Sequence, residues 1–168
     1  VLGLGDLPGL AQALLDSITE ALVGLGVDLP LAYGYDAPIV YVGSGAEPAF
    51  DAASTVCNLV SIRQGLPGAE VGGSINIASM TQTATFGIVM LREAAVVGDE
   101  GIPGAMTLAD EGASIITDAS ALWRAALLVK HAGSVVRNNE GFGILGVDSV
   151  TSEGGLVGNR LLVELSVF

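Results

Sequence analysis

The stretch TSEGGLVGNRLLVELSVF, residues 151–168, decides how the rest of the chain is read. From Leu161 the apolar residues alternate as Leu161, Val163, Leu165 and Val167, while Arg160, Glu164 and Ser166 take the intervening positions. This is the period-two pattern of a half-buried strand. Gly154, Gly155 and Gly158 lie just before it, where a residue without a Cβ can adopt positive φ or let another backbone come close. With GFGILGVDSV, residues 141–150, the pattern predicts two strands around a glycine-rich turn.

Upstream, DLPGLAQALLDSITEALVGLG, residues 6–26, predicts a helix. Asp6 stands at its N-cap, Pro8 in its first turn, Leu7, Leu10, Leu14, Ile18 and Leu22 at helical spacing, and Gly24 or Gly26 at its end. APIVYVG (37–43) and STVCNLVSIR (54–63) read as strands, the second with Val56, Val60 and Ile62 on one face and Cys57 and Leu59 on the other. Residues 71–91 read as one long strand or two short ones, and INIASMTQTATFGIVMLREA (75–94) continues the strand block up to a Gly- and Pro-marked loop at 98–104. A second helix is predicted from Thr107 to His131, with a seam of Leu108, Gly112, Ile115, Ala119, Leu122, Ala126 and Val129, and with Asp118 on a polar face. Acids toward its start and Arg124, Lys130 and His131 toward its end suit the helix dipole. The order of elements argues for one α+β domain, a mostly antiparallel sheet with helices packed on one face.

Charge narrows the function. Six Lys and Arg stand against eighteen Asp and Glu, a formal net charge of −12, and no basic residue precedes Arg63. Such a chain repels nucleic acid and anionic membrane surfaces and has no positive surface for gripping phosphates. Residues 71–91 carry no charge, but seven Ser, Thr, Asn and Gln residues between Ser74 and Thr85 interrupt them, against a membrane span. VLGLGDLPGLAQ lacks the positive flank of a signal peptide, which leads us to expect synthesis in the cytoplasm.

Little in the sequence carries chemistry. Cys57 is alone, so no internal disulfide or cysteine metal cluster is expected, and its simplest role is a small buried hydrophobe. His131 is the one histidine, at a helix end, and makes neither a His-rich metal site nor a convincing triad. Asp99 with Glu100 and Asp110 with Glu111 read as solvated acids, because they lack a calcium-loop pattern. GSGAEP and EGGLVG lack the features of a phosphate loop and read as turns. Trp123 is a core or interface anchor. No catalytic residue, metal or cofactor is expected, and the chain is not expected to be an enzyme.

Three segments in order, IVYVGSGAEPAFDAASTVCNLVSIRQGLPG (39–68), TFGIVMLREAAVVGDEGIPGAMTLADEGASIITDASALWRA (85–125) and GILGVDSVTSEGGLVGNRLLVELSV (143–167), resemble tail-terminator proteins of long, non-contractile-tailed phages of actinobacteria. The shared features are the Pro48 to Asp51 loop, a strand ending in Arg92 before an acidic Gly and Pro loop, the Trp123–Arg124 pair on a helix, and the Gly154, Gly155, Gly158 turn before the last strand.

The resemblance implies a structural virion protein, a homo-oligomeric ring, typically a hexamer, that caps the head-proximal end of the tail tube. Such a ring ends tube polymerisation and joins the tail to the head connector or stopper. DNA passes through its bore without specific binding, and no membrane is involved. Subunit-interface candidates are then Trp123, Arg124, Gly154, Gly155, Gly158, Leu161 and Val163, and acidic bore candidates are Asp99 and Glu100. A last strand with one unpaired edge would complete a neighbour's sheet, and a heterologous contact repeated about an axis closes into a ring. The alternatives are another neck or tail-tube ring protein such as a head-to-tail stopper, or a small soluble ligand-binding domain.

Overall fold

The computed structural model describes residues 6–43, 52–68, 82–94, 104–136, 139–152 and 155–167. Its elements are α1 (Leu7–Gly24), β1 (Val40–Val42), β2 (Ser54–Gln64), β3 (Gln82–Glu93), α2 (Ala105–Ala132), β4 (Phe142–Ser152) and β5 (Leu156–Val167). The strands form one five-stranded sheet in the order β1-β2-β3-β5-β4. β1 lies parallel to β2 and every other pairing is antiparallel, so the sheet is mixed and the fold is α+β.

α1 begins where Pro8 tolerates the first turn, and it ends in a Schellman arrangement. The Gly26 N–H donates to the Val23 carbonyl at 2.9 Å and the Val27 N–H to the Leu22 carbonyl at 3.0 Å, which Gly26 permits by taking φ +78°. Leu10, Leu14, Leu15, Ile18 and Leu22 form its buried stripe. They pack with Leu122, Ala125, Ala126 and Val129 of α2 onto Phe86, Ile88 and Met90 of β3 and Leu161, Val163 and Leu165 of β5. Both helices therefore cover the same face of the sheet.

The last strand is not an edge. β5 sits between β3 and β4 and pairs along its length with both, from Gln82↔Val167 to Glu93↔Leu156 on one side and from Phe142↔Leu165 to Ser152↔Leu156 on the other. The expected open side of residues 161–167 is closed by β4, and among the described residues the long edge strand is β4 itself. Two glycines make this placement possible. Gly155 takes φ +77° in the turn, and its carbonyl accepts the Ala94 N–H at 2.6 Å. Gly158 is buried against β3 so closely that a Cβ there would overlap the carbonyl oxygen of Met90.

Register breaks correct the expected face assignments. In β2 the pairing shifts between Leu59 and Ser61, so Ile62 joins Cys57 and Leu59 opposite Ala84, Ile88 and Phe86 on the helix side. Val56 faces Val89 on the other side, because one extra residue reverses the alternation. β4 carries a second irregularity between Ile144 and Gly146, and Leu145 within it is 49% exposed. Of the segment expected as strand at 75–94, residues 82–93 form β3 and residues 75–81 lie outside the described residues.

α2 is longer than its buried stripe. Its buried residues begin only at Asp118, while Leu108 is 48% exposed and Gly112, Ile115 and Ala119 are half-buried. The expected seam thus holds from Leu122 onward and fails before it, where the first three turns leave their side chains exposed or half-buried. A helix of 28 residues spans about 42 Å, and its buried side chains are confined to the part from Asp118 onward.

Gly158→Ala should lower stability by about 1–3 kcal/mol, since β5 must retreat from Met90, whereas Gly146→Ala meets open space and should cost little. Urea unfolding of the two variants, followed by far-UV dichroism, compares them directly.

Candidate functional surfaces

Two isolated charges within apolar stretches turn out to be the polar anchors of the fold. Glu164 of β5, 4% exposed, lies on the sheet face away from the helices. Its Oε2 accepts hydrogen bonds from Arg63 Nη2 at 2.8 Å and from the Gly68 N–H at 2.7 Å, and its Oε1 accepts from Arg63 Nε at 3.1 Å. Residues 65–68 thereby fold back over the sheet, held also by the Thr83 hydroxyl, which donates to the Gly65 carbonyl at 2.5 Å. Burial alone would raise the Glu164 pKa, but Arg63, the Gly68 N–H and the Thr85 hydroxyl outweigh it and hold the carboxyl below its ordinary value.

At the opposite end of the sheet, Arg92 closes β3 by bonding to Asp118 of α2. Its Nε donates to Asp118 Oδ2, and its Nη2 donates to Asp118 Oδ1 at 3.0 Å and to the Asp28 carbonyl at 2.9 Å. The hydrogen bond to Asp118 pushes the Arg92 pKa above the ordinary guanidinium value against the opposing effect of burial. Asp118 is 4% exposed and does not lie on a polar face as the helical spacing suggested. One turn earlier, Asn159 of β5 donates from Nδ2 to the Ile115 carbonyl at 2.8 Å, so α2 is bolted to β3 and β5 just where it leaves the sheet.

The residues singled out from the sequence fall in different places. Trp123, 40% exposed, and Arg124 stand on the solvent side of α2. Gly155 and Gly158 serve the β5 turn and the close approach to β3. Leu161 and Val163 are fully enclosed in the chain's own core, so these two side chains have no surface left for a neighbouring subunit. Gly154, Asp99, Glu100 and the Pro48 to Asp51 loop lie outside the described residues. His131 is exposed at the end of α2, and Cys57 is buried in the core, where burial pushes its thiol up to about 12. Among the described residues no group of three or more His, Cys, Asp or Glu side chains is placed to hold a metal.

Open hollows flank the helices, among them two of the larger described ones. One of about 400 Å³ lies between the C-terminal ends of α1 and α2, lined by Ala21, Leu25, Leu128 and Val129. The other, of about 510 Å³, lies beside the Arg92–Asp118 pair under the projecting part of α2. The features suited to macromolecular contact are the outer edge of β4, with exposed Leu145, and the outer face of α2, with Met106 82% and Ile116 72% exposed. The sequence flagged neither: alternation locates strands but not their order in the sheet, and an apolar helix face reads as buried until the sheet's extent is known. The chain matches no known protein family, and no curated protein is detectably similar to it.

Asp118→Ala should cost about 1–3 kcal/mol by leaving the Arg92 guanidinium without its carboxylate partner, near the lower end of the 2–5 kcal/mol expected for Leu122→Ala in the core. Chemical denaturation of both variants measures this.

The Glu164 clamp also sets a pH dependence. A carboxyl whose folded pKa lies below its unfolded value, about 4.3, contributes stability at neutral pH that is lost as pH falls through the folded pKa. Wild type should lose more stability between pH 6 and pH 3 than Glu164→Gln, which cannot titrate. Thermal melts of both proteins across that range give the difference.

Proposed function

We propose that this chain is a structural virion subunit that closes into a ring, a hexamer, at the head-proximal end of a long non-contractile phage tail. There it ends growth of the tail tube and joins the tube to the head-side connector. The observation that most supports this reading is the edge of β4. Eleven residues of strand, Phe142–Ser152, end the sheet with one side unpaired among the described residues, at the opposite edge from the three-residue β1. An edge of this length is a template for a second chain unless it is blunted by charge, proline or cover. The only charged side chain on β4 is Asp148, which is bonded to Arg160 of β5 at 2.6 Å, β4 contains no proline, and its one irregularity, at Leu145, leaves residues 146–152 as a regular edge. A neighbour's backbone can therefore extend the sheet, and such a contact between unlike edges, repeated about an axis, generates a ring.

The charge of the chain fits this role. A ring multiplies a net charge of −12 by its number of copies, and an acidic bore repels phosphate so that DNA slides through it without being held. The seam of the ring accordingly moves from β5, where the alternation of residues 161–167 suggested it, to the adjacent strand β4.

Leu145→Lys tests the seam without touching the core, because Leu145 is half exposed on the edge strand. The variant should fold with wild-type dichroism yet fail to make the ring that wild type forms, as read by native mass spectrometry and negative-stain imaging. Intact rings from the Leu145→Lys variant would contradict the edge contact. Long tubes from wild type in place of rings would instead identify a tail-tube subunit.

A further inference from the structure

The face of α2 that points away from the sheet carries a size gradient. Ala105, Ala109 and Gly112 line its first half, Ile116 stands at the middle, and Trp123 and Leu127 line its second half, at spacings of three, four and seven that keep them on one side. Ile116 is 72% exposed, Trp123 40% exposed, and a Cβ added at Gly112 would meet nothing within 4 Å. No charged residue interrupts the series. The charges stand on the flanks and are divided by sign: exposed Asp110 in the first half and exposed Arg124 in the second. By length and composition α2 is apolar enough to cross a bilayer, but one side of it is bonded to the sheet through Asp118 and Asn159.

We propose that this face binds the same face of a second copy of this chain, with the two α2 helices antiparallel about a two-fold axis at Ile116. In that register Ile116 meets its own counterpart, Trp123 lies over Ala109, Leu127 over Ala105, and residue 120 over Gly112. Away from the central Ile116 pair, every large side chain then faces a small one. Asp110 of each copy lies within one turn of Arg124 of the other, on the same flank of the contact, so the charges attract. The parallel alternative fails on both counts, since it stacks Trp123 on Trp123 and leaves Asp110 about 21 Å along the axis from Arg124 of the other copy. The overlap begins at the first residue of the helix and runs to Leu127, about 34 Å. A strip of that length and one helix width is smaller than the roughly 800 Å² per partner of a stable interface, so the pair is weak alone and gains strength where an assembly repeats it. This contact uses α2 and is independent of the β4 edge and of the ring it forms.

Cysteine cross-linking captures a weak two-fold contact, and Cys57 is silent because it is fully buried with a thiol pKa of about 12. Under mild oxidation, full-length Ile116→Cys should form a covalent dimer at least tenfold faster than Asp16→Cys, an exposed control on α1. Ala109→Cys alone should not, because its counterpart is Trp123. Adding Asp110→Arg to Ile116→Cys should slow the reaction several-fold, and adding Arg124→Asp to that variant should restore it. Equal rates for Ile116→Cys and Asp16→Cys, rapid self-coupling of Ala109→Cys, or indifference to the charge reversals would each overturn the proposal. Because Leu145→Lys leaves α2 untouched, rings lost in that variant with the Ile116→Cys dimer retained separate this contact from the β4 seam.

Discussion

The close approach of β5 to β3 at Gly158 is the constraint on which the remaining structure depends. With no Cβ at that position, the β5 backbone lies against the Met90 carbonyl, and the two strands stay in register over twelve residue pairs. That register places Leu161, Val163 and Leu165 in line with Ile88, Phe86 and Ala84 under the helices, and Glu164 opposite Thr85 on the other side. The helix-side core and the Glu164 clamp both follow from it. Moving β5 by one residue would bury the Glu164 face under the helices and expose the apolar one.

Enclosing β5 has a consequence for assembly. The chain folds its best-patterned strand into the middle of the sheet and leaves β4, which carries a bulge and five exposed or half-exposed positions around Leu145, at the edge. The two charged anchors fix opposite ends of the same layer: Glu164 draws residues 65–68 over one face, and Arg92 ties α2 to β3 at the point where the helix departs. Before Asp118 no described residue of α2 is buried.

Elements were legible in the sequence where periodicity is local. α1, the β4–β5 hairpin and the C-terminal half of α2 lie where spacing placed them, because a buried stripe repeats every three or four residues and a buried strand face every two. What spacing cannot carry is order and reach. The alternation of Leu161 to Val167 reads the same in an edge strand and a central one, and only the pairing of β4 beyond it decides the matter. The bulge after Leu59 reverses faces without any glycine or proline to announce it. Asp118 looked solvated because its partner, Arg92, stands 26 positions away, and the projecting apolar face of α2 looked buried for want of any sign of where the sheet stops. Among the candidate interface residues, those chosen for apolarity in a strand proved to be core, while Trp123 and Arg124, chosen as a helix pair, stand at the surface.

The claim that joins fold to function is that assembly occurs along β4 and leaves β5 untouched. Amide hydrogen exchange, compared between the assembled protein and the dissociated subunit, tests it most directly. Backbone amides on the outer side of β4, residues 142–152, should exchange fast in the subunit and become strongly protected on assembly, while β5 amides, already paired on both sides, stay slow in both states. β4 amides that exchange equally fast in assembly and subunit would contradict it.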